Sequence, residues 1–250
     1  MLKRFEEVRK IALEYSKTHS TTSYNVISNL NWLRYIKKLR RTVNLIPKNG
    51  KVLEIGCGFG HVTAMVKIAR SDLKVIGLDI KKFSTWDKYK KFGCNFVIGD
   101  AQNLKFKDEK FDAVISFGVM EHIDHDAFLS EVKRVLKRGS YNFIFDLPNK
   151  FSFSESFLAR VLQKFLRRKI FCHEKMYTER EIIYLMKKYG FAYIEVLREH
   201  IIPAQVDRIS KFIGRFFNKN YILIDRLDSF LGKTPLKILS QTYSIHAKKI

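Results

Sequence analysis

The sequence predicts an α/β fold: a seven-stranded, mostly parallel sheet with helices on both faces, an antiparallel strand at one edge, an N-terminal helical cap and helical insertions. Three observations carry this expectation. Short β-branched and aromatic runs alternate along the chain with segments of helical period, the pattern of strand–helix–strand units around a buried parallel sheet. A glycine-rich turn, Gly56-Cys-Gly-Phe-Gly60, follows the first of these runs directly. Only four prolines occur in 250 residues and no Pro- or Ser-rich linker divides them, so residues 1–250 are expected to form a single domain.

The elements follow in order. Residues 1–47 hold two amphipathic stretches, one marked by Phe5, Val8, Ile11 and Ala12, the other by Val26, Leu30, Leu33 and Ile36. They are expected to close over the site as a helical cap. The core spans 48–150. Its first strand is Val52–Ile55, followed by a helix over His61–Ala69 with Val62, Met65, Val66 and Ala69 on one face. Lys74–Leu78, Phe96–Ile98 and Phe111–Ser116 supply the next three strands. Phe128, Leu129, Val132, Val135 and Leu136 mark a helix face expected to stop at Gly139, and Tyr141–Phe145 is the fifth strand.

Beyond the core, Thr178-Glu-Arg-Glu181 fits a capping box that opens a helix closed by Gly190. Phe191–Leu197 and Thr242–Ala247 read as a final antiparallel pair at one end of the sheet. Residues 150–175 and 202–240 lie outside this framework as helical insertions that could form a lid.

No run of about 18 uncharged apolar residues is present, so a transmembrane helix is not expected. The opening MLKRFEEVRK is too charged for a signal peptide. Cys57, Cys94 and Cys172 are odd in number and lack metal-type spacing, which suits a reducing, cytoplasmic setting without a disulfide frame or zinc site. The net charge of +22 is uneven: +8 over residues 1–50, +4 over 51–150 and +10 over 151–250. If this excess serves a partner, the partner meets the flanks and not the glycine-rich core.

The glycine turn excludes two familiar ligand classes. A dinucleotide site wants its third glycine where His61 or Thr63 stands, and no glycine is followed by the Lys-Ser/Thr pair of a phosphate-binding loop. Glu54, two residues before the first glycine, would repel a bound pyrophosphate. A ligand with a cationic amino-acid end and no phosphates, such as S-adenosylmethionine, would tolerate or use that carboxylate. Asp79 ends the second strand, where it can accept from ribose hydroxyls, and Asp100-Ala101 ends the third, where Asp100 can accept from an adenine amino group. The carboxyl ends of parallel strands converge on one crevice.

VLEIGCGFG, VIGLDI, GDAQNLKF, FDAVISFGVMEHI and VLKRGSYNFIF resemble, in order, the motifs of the class I S-adenosylmethionine-dependent methyltransferases, over roughly residues 50–147. CHEKMYTEREIIYLMKKYGF is a weaker echo, and Arg138-Gly139-Ser140 replaces the usual Pro-Gly-Gly. The resemblance implies a Rossmann-like sheet, S-adenosylmethionine as methyl donor, and cofactor contacts from Glu54, Gly56, Cys57, Gly58, Gly60, Asp79, Ile80, Asp100, Ala101 and Phe117. Where amino-methylating enzymes of nucleic-acid bases carry Asn/Asp-Pro-Pro-Tyr/Phe, this chain has Phe117-Gly-Val-Met-Glu-His122.

Glu121-His122-Ile123 instead resembles small-molecule O-methyltransferases of the ubiquinone-pathway type, making His122 a candidate general base on a hydroxyl. The bland alternative is that Glu121 and His122 only end the strand and cap the next helix. An upstream metal-binding Glu of some relatives is replaced by Gly118, so no metal is expected. His125 and His173 are weaker candidates, and His61, His200 and His246 read as structural or surface residues.

In the insertions, Phe157, Leu158, Val161, Leu162 and Phe165 form a stripe beside Arg160, Lys164, Arg167 and Arg168. Ile209, Phe212, Ile213 and Phe216 lie likewise beside Arg208, Lys211, Arg215 and Lys219. Such basic amphipathic segments can lie on an anionic membrane, which would place the protein peripherally on the inner face, or they can pack as a lid. RNA ranks below both, because the aromatics follow apolar stripes instead of alternating with the basic residues as stacking platforms. The expected activity is methyl transfer to a hydroxyl of a small acceptor, free or lipid-linked, such as a quinone or glycan. An RNA-modifying methyltransferase and a non-catalytic membrane-surface protein on the same fold are the alternatives.

Overall fold

The computed structural model describes residues 2–18, 28–152, 175–203 and 211–250. In chain order the elements are α1 (Leu2–Thr18), α2 (Asn29–Val43), β1 (Lys51–Ile55), α3 (His61–Ala69), β2 (Lys74–Asp79), α4 (Thr85–Lys90), β3 (Asn95–Ile98) and β4 (Phe111–Phe117). After a 3-10 turn at Met120–His122 come α5 (His125–Val135), β5 (Leu136–Pro148), α6 (Glu179–Lys188), β6 (Phe191–Glu199), α7 (Lys211–Lys219) and α8 (Tyr221–Leu231). A 3-10 turn at Pro235–Leu239 leads into β7 (Thr242–Lys249).

The seven strands form one sheet in the order β3-β2-β1-β4-β5-β7-β6. β1 to β5 run parallel, while β7 is antiparallel to both of its neighbours, β5 and β6. The antiparallel pairing therefore lies at the expected end of the sheet, with β6 outermost. From β1 the chain builds outward to β3 and then returns to place β4 on the other side of β1. That reversal opens a crevice at the carboxyl ends of β1 and β4, the place where open α/β sheets bind ligands.

Both faces are covered. Phe5, Val8 and Ala12 of α1, Trp32 and Leu39 of α2, and Val62 and Met65 of α3 share one core cluster. Phe128 and Leu129 of α5 and Ile182 and Met186 of α6 share the other. Residues 52–55 of β1 are buried on both faces, which is why that strand reads as a continuous apolar run interrupted only by Glu54. The capping box before α6 forms as expected, with Thr178 accepting from the Glu181 N–H and Glu181 accepting from the Thr178 N–H.

Two local expectations are corrected. The helix before β5 ends at Val135, not at Gly139, because Leu136 already pairs with Phe111 of β4. Gly139, at φ +75°, instead sits in a bulge between that pair and Ala113–Tyr141, so β5 starts earlier than the apolar run Tyr141–Phe145. On α2 the buried side chains include Leu30, Trp32, Arg34, Lys38 and Leu39, while Leu33 and Ile36 are half-buried. Two cations thus occupy positions that a hydrophobic stripe would not assign to the interior. Val26, the stripe of 157–165, Cys172, His173, Arg208 and Ile209 lie outside the described residues.

Candidate active site

The glycine turn is held by side chains and backbone groups from across the sheet. Cys57 N–H donates to Leu78 O at 3.0 Å and Gly60 N–H to Cys57 O at 2.8 Å, closing the turn and starting α3. Trp86 Nε1 donates to Gly58 O at 2.8 Å, and Thr85 Oγ1 donates to Phe59 O at 2.6 Å. Asp79, at the end of β2, accepts the Gly58 N–H on Oδ2 at 2.8 Å. These contacts within the protein fix the shape of the loop.

Its surface then shows what it can hold. A Cβ on Gly58, which lies at φ +49°, would meet nothing within 4 Å, whereas one on Gly56 would strike Val119 Cγ2 at 2.3 Å. Gly56 admits the loop after β4, and Gly58 leaves open space that a ligand can approach down to the backbone. Beside that space stands the Asp79 carboxylate, and next to it Ile80 is 73% exposed. An exposed branched aliphatic next to a carboxylate with spare lone pairs suits a nucleoside, with the base against Ile80 and the sugar hydroxyls on Asp79. Asp100 is exposed at the end of β3, where its Oδ1 accepts the Gln102 N–H at 2.8 Å, with Ala101 half-buried beside it. The Cys57 backbone is spent on closing the turn; its thiol is buried against Gly77, and burial pushes it up and keeps it protonated.

Glu54 lies beneath the turn, buried, and accepts a hydrogen bond from Thr63 of α3. Burial raises its carboxyl to about 8, opposed by the Thr63 hydrogen bond and reinforced by Asp79. A cation placed above it would favour the ionised form.

An aromatic wall stands beside the turn; of its residues the sequence marks Phe117, as a cofactor contact, reads His61 as structural or surface, and does not single out Trp32, Tyr35 or Phe59. His61 stacks on Phe59 with ring centroids 4.4 Å apart, Trp32 of α2 faces it at 6.3 Å, and Tyr35 meets it edge-on at 5.4 Å. Tyr35 also contacts Phe117, the last residue of β4, at 5.1 Å, and Phe117 stacks on Phe145 at 4.5 Å. Tyr15 of α1 stacks on Phe59 at 5.8 Å, so both N-terminal helices close over the turn. Burial drives the His61 imidazole down to about 3, so it is neutral, and among the described residues neither ring nitrogen has a hydrogen-bond partner. Burial, with Asp146 and Glu54 nearby, raises the Tyr35 phenol well above its ordinary range. A clue lay in Trp32 and Tyr35, one helical turn apart, and in a histidine directly after Gly60.

His122 ends the 3-10 turn after β4. Its side chain is 51% exposed, with Nε2 3.8 Å from Oε1 of the buried Glu121. His125 starts α5 and packs edge-on against Tyr177 at 6.4 Å. His200 and His246 lie in the fold away from the turn, each paired with a carboxylate: His200 with Asp228 and His246 with Glu195. Among the described residues, no three His, Cys, Asp or Glu side chains gather as a metal site.

Past Phe145 the wall meets a buried ionic network. Lys38 of α2 lies 5.9 Å above the Phe145 ring and pairs with Asp146 and, at 2.8 Å, with Glu199. Asp146 sits at φ +60° in the bulge between the Ile144–Ile245 and Leu147–Tyr243 pairs, an irregularity that turns its side chain toward α2. Burial alone would lower Lys38, but the two carboxylates outweigh it and hold the ammonium above its ordinary value. Burial likewise opposes ionisation of Glu199, yet Lys38 and His200 bring it down to about 2. Arg34 donates to Asp228 of α8 at 3.1 Å, and Lys37 pairs with Asp225.

Comparison with known proteins agrees with this geometry. Residues 53–144 match the methyltransferase domain family. A demethylmenaquinone methyltransferase of Thermotoga maritima is 34% identical over 145 residues, covering 56% of this chain and 60% of that one. Phthiotriol/phenolphthiotriol dimycocerosates methyltransferase 1 of Mycobacterium ulcerans is 34% identical over 118 residues, covering 45% and 44%. The chain thus aligns with less than two thirds of the length of either relative. The crystal structure of a SAM-dependent methyltransferase of T. maritima superposes with a TM-score of 0.53 at 26% identity, covering 69% of this chain and 77% of that one.

Proposed function

From a chain whose core is a class I S-adenosylmethionine-dependent methyltransferase domain, we infer that the protein transfers a methyl group to a hydroxyl of a small acceptor, free or lipid-linked, such as a glycan or a quinone in its quinol form. The observation that carries the donor half is the open space over Gly58, bounded by the Asp79 carboxylate and the exposed Ile80 at the sheet's switch point. There Asp79 would accept from ribose hydroxyls, Ile80 and Ala101 would flank the base, and Glu54 would face the cationic amino-acid end from below. When bound, S-adenosylmethionine supplies an electrophilic methyl group on its sulfonium.

What remains for the protein is to hold a nucleophile in line and remove its proton. Tyr35 and Phe117, the half-buried rings of the aromatic cluster that Trp32 and His61 back from the core, favour a flat, apolar acceptor. The T. maritima relative is named for demethylmenaquinone and the mycobacterial one for phthiotriol dimycocerosates, both largely apolar molecules. His122 would take the acceptor's hydroxyl proton at Nδ1, with its Nε2 turned toward the Glu121 carboxylate 3.8 Å away.

A radiolabelled methyl-transfer screen over quinols, lipid extract, sugars and tRNA tests the reading, with label expected in the quinol, lipid or sugar fraction. Label in tRNA alone would overturn the acceptor class. His122→Ala is expected to lower kcat by about 10²–10⁴-fold with donor affinity unchanged; full turnover would remove it as the base.

A further inference from the structure

Helix α8 is inside out. Its two carboxylates, Asp225 and Asp228, are buried against Lys37 and Arg34 of α2, while Leu223, Leu227 and Phe230 face solvent, Phe230 at 65% exposure. Helix α7 before it buries no residue at all, and Phe212 is 79% exposed. The 3-10 turn that follows exposes Leu236 as well. Ile224 of α8 is buried, but three consecutive elements thus hold most of their apolar side chains in water. Internal ion pairs fix the orientation of the second of them.

The charges around this surface have one sign. Residues 211–239 carry Lys211, Arg215, Lys219, Arg226, Lys233 and Lys237, all exposed, and their only acids are the two buried aspartates. On α7, Phe212 and Phe216 lie one turn apart on one face, and Lys211, Arg215 and Lys219 run along the adjoining side. That is the arrangement of a helix lying in the plane of a lipid interface.

We propose that this surface docks on an anionic lipid bilayer, with Phe212, Phe216, Leu223 and Phe230 entering the headgroup–acyl boundary and the basic side chains meeting lipid phosphates. A second copy of the chain would bring the same positive rim against itself, which repels; an anionic membrane neutralises it. Aliphatic Leu223 and Leu227 beside the phenylalanines give an apolar layer and not a run of base-stacking platforms, which disfavours RNA. Among the described residues no helix is long and apolar enough to cross a membrane. The docking does not depend on the methyl-transfer reading.

Sedimentation of the full chain with phosphatidylcholine vesicles, with and without phosphatidylglycerol, tests it. Binding is expected only with phosphatidylglycerol and is expected to fall as salt rises. Phe212→Ser with Phe216→Ser should weaken partitioning by about tenfold or more, and Arg215→Glu with Lys219→Glu should abolish it. Because these side chains are exposed, the variants are expected to keep the wild-type melting temperature. Wild-type indifference to lipid charge overturns the proposal. So does a self-association in analytical ultracentrifugation, or an RNA gel shift, that the double serine variant abolishes while vesicle binding is absent. A lowered melting temperature in that variant, with no vesicle binding by the wild type, would assign the face to intramolecular packing and overturn it equally.

Discussion

Asp79 serves the turn and its ligand with one carboxylate. It already accepts the Gly58 N–H, so removing it both loosens the turn and deletes the proposed acceptor for the ribose. Hydrogen bonds to a charged group contribute about 1.5–3 kcal/mol each, so Asp79→Ala should weaken S-adenosylmethionine binding by about 10–100-fold in calorimetry. Unchanged affinity would detach Asp79 from the donor site. Glu54 makes a different prediction. Its folded value, about 8, lies above its ordinary value of 4.5, so the fold favours the protonated form. That contribution is complete below pH 4.5, is lost as pH rises through about 8, and is level beyond. In thermal melts of the ligand-free protein, wild type should therefore lose ground to Glu54→Gln across that window. A constant gap would show that Glu54 does not titrate there. The tight turn over residues 56–60 was legible in the sequence because a turn between strand and helix is a local matter. Tyr35 and His61 were not, because they meet only after α2 folds over the turn.

At the scale of elements, helix α2 connects the site to the rest of the chain. One side of it presents Trp32 and Tyr35 to the aromatic wall; the other buries Arg34 and Lys38 among carboxylates from β5, β6 and α8. Asp228 accepts from Arg34, from the Ile202 N–H at 2.8 Å and from His200 Nδ1 at 3.0 Å. Asp228→Ala would leave Arg34 buried without its charge partner, and urea denaturation should register a loss of about 3–5 kcal/mol. The paired change Arg34→Met with Asp228→Leu should recover most of that loss, since a buried ion pair and an apolar pair of similar size are often close in stability. Periodicity and capping residues announced α3, α6 and strands β1 to β4, where the local pattern agrees with the final packing. The same reasoning failed at Gly139, where strand pairing ends the helix earlier. It failed again on α2, because a buried cation is specified by carboxylates far away in the chain and not by its neighbours.

For the whole molecule, a ligand that binds only the folded state stabilises all of it. S-adenosylmethionine at a hundred times its dissociation constant should add about 2.7 kcal/mol, which for a chain of this size is a rise of about 5–10 °C in melting temperature. No shift at saturating ligand would argue against a formed donor site. The large positive charge resides mainly in the flanking residues 1–50 and 151–250. The sheet's arrangement adds a consequence in time. Strand β7 lies between β5 and β6 and is paired with both, although it follows β6 in the chain by the length of α7 and α8. Until residues 242–249 have left the ribosome, β6 has no strand to join, and the parallel half must wait with β5 as its open edge. Synthesis at about 5–20 residues per second makes that wait a few seconds, a period in which the nascent chain presents an unpaired, apolar strand to the cell's chaperones.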